Sequence, residues 1–199
     1  MSTPLRLPFD AEPLRREPLE TERLLLRPLS FADADDHARY QGDAEAVRYL
    51  RWPVRTPEES RAHLRVRLPS TRLAADGDVV VLAIVAREGA LAGRVIGDLT
   101  LIASSLAHAS VEVGWVVHPE AQGRGLASEA ARALIALAFD ELGAHRVVAQ
   151  LDARNAASAR LCERLGMRLE AHHLDDEFCK GEWTSTLVYA LLAREYRAR

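Results

Sequence analysis

Apolar and polar residues alternate well enough along LETERLLLRPLS (19–30) to predict a strand over about Leu24 to Pro28. VVVLAIVA (79–86), RVIGDLTLI (94–102) and SVEVGWVV (110–117) follow as strands, joined by Gly- or Ala-rich links short enough for antiparallel neighbours. The period then changes. From Leu126 onward, Ala130, Ala133, Leu134, Leu137 and Ala138 recur at helical spacing, and Gly143 is a natural stop. Two helices are expected earlier: one beginning at Ser30 as N-cap, the other at Thr56, with Pro57 in the first helical position and Glu58 and Glu59 in the first turn. After the long helix come HRVVAQLD (145–152) as a strand, NAASARLCERLG (155–166) as a helix capped by Asn155, and strands at MRLEAHHL (167–174) and WTSTLVYALLA (183–193). Residues 1–18 carry prolines and little periodicity, so they read as an arm, partly disordered or draped over a single domain of residues 19–199.

The stretch between the 110–117 strand and the long helix fits neither period. In QGRGLA (122–127), Gly123 and Gly125 lack a Cβ, so the chain can bend sharply and an anion can approach several N–H groups at once. A helix start offers such groups without internal partners, together with the positive end of the helix dipole. Gln122 and Arg124 add side-chain donors. A Walker loop is excluded, because it needs Gly-Lys-Ser/Thr and the sole lysine is Lys180. The three-glycine dinucleotide fingerprint also fails, since position 128 is Ser128.

Composition narrows the function classes. The chain has 199 residues, 48% of them hydrophobic, which is enough for one well-buried core. A net charge of −3 provides no general attraction to nucleic acid or to an anionic membrane. Two cysteines without a C-x-x-C pair indicate neither a disulfide framework nor a zinc site, and a reducing cytoplasm fits. No apolar run approaches the ~20 residues of a membrane span, and the N-terminus lacks the apolar core of a signal peptide. His172 and His173 are adjacent on an expected strand, point to opposite faces and cannot easily share a metal.

The order of elements, with the glycine turn between the fourth strand and the third helix, resembles the GNAT superfamily of acetyl-CoA-dependent N-acyltransferases. Residues 122–127 match that family's pyrophosphate loop, Q/R-x-x-G-x-G/A, with Ala127 as the small last residue. TERLLLRPL, VGWVVHPEAQGRGLASEA, NAASARLCERLGM and GEWTSTLVYALLAREY look like the branch of Rim-type ribosomal-protein N-terminal acetyltransferases, over residues 19–196. The resemblance implies an α/β (α+β) fold: a mixed, mostly antiparallel sheet of about seven strands, splayed after the fourth, with about four flanking helices. It implies acetyl-CoA as cosubstrate, no metal, and direct transfer of an acetyl group to a primary amine. A protein or peptide N-terminus is the favoured acceptor; a small amine such as a polyamine, amino acid or antibiotic comes second. A non-catalytic acyl-CoA-binding module is the alternative of a different class, and a homodimer is compatible with the pattern.

The same resemblance places the cofactor on Val116, Val117, Gln122, Gly123, Arg124, Gly125, Leu126, Ala127, Asn155 and Ser158. Backbone groups near Val116 and Val117 would pair with pantetheine and polarise the acetyl carbonyl. Strand parity puts Glu112, Gly114 and Val116 on one face, so a single carboxylate interrupts an apolar strand. Glu112 is thus the candidate general base, with ammonium binding as its other reading. Where many members carry a tyrosine acid, this chain has Cys162; Ser158 is the first candidate to assist the leaving thiol and Cys162 the second. Trp52 falls where the family builds an acceptor wall, Trp115 and Trp183 are expected in the core, and Asp33, Asp35 and Asp36 on a solvated helix face.

Overall fold

The computed structural model describes residues 4–198. The N-terminal side contains β1 (Phe9–Asp10), β2 (Leu19–Glu20), β3 (Leu24–Pro28), α1 (Ala34–Gln41), α2 (Pro57–Arg67) and β4 (Arg72–Leu73). The central part contains β5 (Val79–Ala86), β6 (Val95–Ser105), β7 (Ser110–Val117) and α3 (Leu126–Ala136), which runs on into a π turn at Leu137–Glu141. The last part contains β8 (Arg146–Asp152), α4 (Ala156–Arg164), β9 (Arg168–Cys179), β10 (Glu182–Leu192) and α5 (Ala193–Arg197).

Eight strands form the main sheet in the order β2-β3-β5-β6-β7-β8-β10-β9, while β1 and β4 form a separate pair. The expected sheet of about seven strands gains the two-residue edge strand β2, and the expected last strand ends at Leu192 because Ala193 opens α5. The apolar run of β5 is explained by burial on both faces. Val80, Leu82, Ile84 and Ala86 join the core cluster that includes α3 and α4 residues, and Val81, Ala83 and Val85 join a second cluster with Tyr40 and Leu64 from α1 and α2.

The capping signals act as expected at α2, where the Thr56 N–H donates to Glu59 and the Glu59 N–H donates back to the Thr56 hydroxyl. The arm is packed where it is described: Leu5 and Ala11 are buried, the Arg6 N–H donates to the Leu142 carbonyl at 2.8 Å, and Phe9 pairs with Leu73. Residues 1–3 of the arm lie outside the described residues.

Two surface expectations are corrected. Asp33 is buried beside the chain, accepting from both guanidinium nitrogens of Arg27 at 2.8 Å and from the Ser30 N–H at 2.7 Å, while Asp36 binds Arg94 and the Val95 N–H. Only Asp35 of the three is fully solvated. Trp183 is not core; it is 62% exposed and lies edge-on to Phe178 at the end of the β9–β10 hairpin.

One junction determines the shape of the site. β7 and β8 run parallel but pair only from Ser110↔Arg146 to Glu112↔Val148, and beyond that point the strands part. β7 stays paired with β6 up to Gly97↔Val117, and a Cβ at Gly97 would stand 2.1 Å from the Val116 carbonyl oxygen. Backbone on both strands would have to shift. Gly97→Ala should therefore cost about 3 kcal/mol, at the upper end for overpacking, and lower Tm by on the order of 10 °C. A thermal melt within 2 °C of the parent would show that β6 and β7 yield more easily than their contact implies.

Candidate active site

The parted strands open onto three adjoining spaces. A cleft of about 470 Å³ is lined by Val116 and Val117 of β7, by Gln122, Gly123 and Gly125 of the glycine turn, by Leu126, Ala127 and Ser128 of α3, and by Asn155, Ser158 and Arg164 around α4. An inner chamber of about 140 Å³ shares Trp115, Val116, Asn155 and Ser158 with that cleft. An outer pocket of about 180 Å³ shares Trp52, Gln150, Leu151 and Asp152 with the chamber and adds Glu112 and the β9–β10 hairpin. Tyr49 and Leu50, from the connection between α1 and α2, border all three.

The turn at the cleft mouth has the geometry its glycines allow. Gly123 and Gly125 adopt φ of 73° and 79°, the left-handed region, and Gly125 is the residue from which α3 starts. A Cβ at Gly123 would meet nothing within 4 Å. Several backbone N–H groups of the first α3 turn are thus available to an anion at a positive helix end. Arg23 braces the turn from outside, donating to the Arg124 carbonyl at 2.9 Å and pairing with Glu129 of α3 at 2.7 Å.

Two expected donors are used differently. The Gln122 amide borders the cleft but donates to the Val117 carbonyl at 2.8 Å, tying the turn to the end of β7. Arg124 is exposed and does not line the cleft. The cation that does line it is Arg164, which donates weakly to Ser128 at 3.4 Å. Its spacing was legible, since Ser158, Leu161 and Arg164 recur every three residues along one side of α4.

Asn155 caps α4 as expected, accepting from the Ser158 N–H at 3.0 Å. The Ser158 Oγ in turn accepts from the Trp115 indole at 3.1 Å, which leaves its own proton free to point elsewhere. Cys162, by contrast, is fully buried, and burial pushes its thiol up to about 12. It lines none of the three spaces and has no route to a leaving group there.

The carboxylates around these spaces are nearly all committed. Asp98 is buried and accepts from the Tyr40 hydroxyl at 2.9 Å and from Arg67 at 3.1 Å. Arg154 binds Asp152 and Glu182, Arg51 binds Glu177, and Glu45 faces Arg48 at 3.6 Å. Glu112 differs. It sits at the last paired position before the strands part, and its recorded partner is the neutral amide of Gln150, which donates at 2.8 Å. Among the described residues it is the one carboxylate lining these spaces without a cationic partner. Against Trp52, His63 stacks on His37 at 5.5 Å, and burial first, with Arg67 and Arg55 behind it, pushes both down to about 4. Both are neutral at physiological pH.

Comparison with known proteins agrees with this geometry. Residues 23–168 match the model of the acetyltransferase (GNAT) domain. The chain is 28% identical to the uncharacterized N-acetyltransferase YnaD of Bacillus subtilis, covering 89% of this chain and 98% of that one. A GNAT-family acetyltransferase from Bacillus anthracis superposes with a TM-score of 0.77 at 26% identity, covering 89% of this chain and 99% of the other. The ribosomal-protein α-N-acetyltransferase RimL, solved in complex with coenzyme A, shares the fold at a TM-score of 0.72 and 19% identity, covering 86% and 95%. No described helix is long and apolar enough to cross a membrane, and no cluster of three metal-ligating side chains occurs among the described residues. With a glycine turn at a helix start, a sheet that parts beside it and a matching domain over most of its length, this chain belongs to the GNAT family of acetyltransferases.

Proposed function

We propose that the protein transfers an acetyl group from acetyl-CoA directly to a primary amine, with a protein or peptide N-terminus as the favoured acceptor and the Rim-type enzymes as its functional kin. The observation that carries this reading is Glu112, a carboxylate without a cation that lines the outer pocket at the last position where β7 pairs with β8. The glycine turn and the first turn of α3 hold the pyrophosphate, and the β8-facing edge of β7 above Glu112 receives the pantetheine arm as an added strand would. The thioester then lies beside Val116 and Ser158.

The acceptor enters from the outer pocket as an ammonium. Glu112 attracts it and takes its proton, directly or through water, so that a neutral amine faces the acetyl carbonyl. A backbone N–H near Val116 or Val117 stabilises the developing oxyanion. The C–N bond forms, the nitrogen gives up its second proton through the same carboxylate, which has already passed the first to water, and the C–S bond breaks with its electron pair leaving on sulfur. The Ser158 hydroxyl, already fixed through its oxygen by Trp115, donates a hydrogen bond to that sulfur. Ser158→Ala should lower kcat roughly 10-fold to 100-fold while Cys162→Ala does less, as steady-state rates with thermal melts would show. The reverse order, with stability intact, would reassign the leaving-group contact to Cys162.

A terminal α-amine suits this pocket because it presents one ammonium to one unpaired carboxylate. A polyamine brings several. The test is a panel of peptides, polyamines and amino acids incubated with acetyl-CoA, with products identified by mass. Acetylation of peptide α-amines above all others supports the reading; preferential acetylation of spermidine would move the protein to the small-amine class.

A further inference from the structure

We propose that Tyr49 is the acid that returns a proton to the coenzyme A thiolate, an assignment that rests on the acetyl-transfer reading above. A serine hydroxyl is a much weaker acid than the thiol it would have to protonate, whose pKa is near that of free cysteine, about 8.5. Ser158 can stabilise the thiolate by hydrogen bonding but is a poor source of the proton itself. Cys162 is sealed from the cleft. A phenol is acidic enough to serve, and the question becomes which tyrosine is in place.

The chain has four. Tyr40 is fully buried and donates to Asp98, Tyr189 is buried, and the Tyr196 hydroxyl donates to Asp140 at 2.8 Å. None of these three borders the cleft, the chamber or the outer pocket, whereas Tyr49 borders all three. Its hydroxyl has no hydrogen-bond partner among the described residues. The Arg48 guanidinium lies 5.4 Å from its ring centroid.

Tyr49 sits on an irregular connection, yet that connection is held. The Asp43 carboxylate accepts from the Glu45 and Ala46 N–H groups at 2.9 and 2.8 Å. From across the outer pocket, the chain's sole lysine donates to the carbonyls of Val47 and Arg48 at 2.7 and 3.1 Å. Lys180 and Gly181 turn the β9–β10 hairpin with φ of 52° and 87°, and the turn projects this ammonium toward the segment just before Tyr49. Lys180 is thus a positioning residue for Tyr49.

The proton balance closes. The Tyr49 O–H bond gives its proton to the thiolate, yielding the free thiol, and the phenolate recovers through water the second proton that the nitrogen sheds by way of Glu112 as the C–N bond forms, the first having already passed from Glu112 to solvent. The net reaction is acetyl-CoA plus ammonium giving acetylated amine, coenzyme A thiol and one proton.

Tyr49→Phe removes the hydroxyl and keeps the ring, so calorimetric affinity for coenzyme A should stay within about twofold of the parent while kcat falls roughly 10-fold to 100-fold. The thiol of bound coenzyme A, titrated by its thiolate ultraviolet absorbance, should ionise about one pH unit higher in this variant, because a hydrogen bond to the thiolate has gone. Lys180→Met should reproduce part of the kcat loss, and Lys180→Arg should restore it. A Tyr49→Phe enzyme with normal kcat and an unchanged thiol titration overturns the assignment. So does one that only loses coenzyme A affinity. Failure of the unmodified protein to bind coenzyme A at all would overturn the acetyl-transfer reading, and the Tyr49 assignment with it.

Discussion

Replacing Gly125 with valine should weaken coenzyme A binding at least tenfold, a loss of about 1.4 kcal/mol or more. Gly125 holds φ at 79° at the start of α3, a conformation that a β-branched residue resists. The nearest protein atom to a Cβ there is an Arg23 guanidinium nitrogen at 3.5 Å, so the protein itself accommodates a first side-chain atom. The penalty falls on the curvature of the turn and on the space an anion occupies. Calorimetric titration of a variant whose melt shows it to be folded gives the value. Unchanged affinity in that variant would place the pyrophosphate somewhere other than this turn.

Glu112→Gln should lower kcat about 100-fold or more at neutral pH, with the deficit shrinking as the medium becomes alkaline. The glutamine carbonyl can still accept from Gln150, so the local hydrogen bond survives and only basicity and charge are lost. Alkaline solution supplies the acceptor already neutral, so a base role predicts that high pH replaces the carboxylate. The split between kcat and KM separates the two roles proposed for Glu112. A raised KM with normal kcat would make it a binder of the ammonium alone, and unchanged values of both would remove it from the reaction.

The readable parts of this molecule were the local ones. The glycine turn, the Thr56 and Asn155 caps and the common face of Glu112, Gly114 and Val116 depend on residues within a few positions of one another, and the structure shows each. The family resemblance supplied the parting of the sheet, which no short pattern contains. It arises because β7 and β8, separated by a turn and a helix, pair over three positions and then diverge. Partners far apart in sequence were equally hidden. Asp33 reads as one of three surface acids until Arg27 folds beside it, and Asp98 becomes committed only when Tyr40 and Arg67 converge on it. Tyr49 had no periodicity to mark it, because the connection carrying it is fixed by a lysine more than a hundred residues away. Trp183 was misread because hydrophobicity alone does not say that a strand turns outward at the end of a hairpin.

The proposed reaction is direct transfer, without a covalent acetyl-enzyme, from acetyl-CoA to an amine beside Glu112. The most direct measurement follows free thiol released from acetyl-CoA in a rapid-mixing experiment, with and without a peptide acceptor, alongside the mass of the protein. Direct transfer predicts no thiol burst and no mass gain without acceptor, and with acceptor one thiol released per acetylated α-amine. A stoichiometric burst without acceptor, with an acetyl group left on the protein, would contradict it, as would the absence of any acetylated amine.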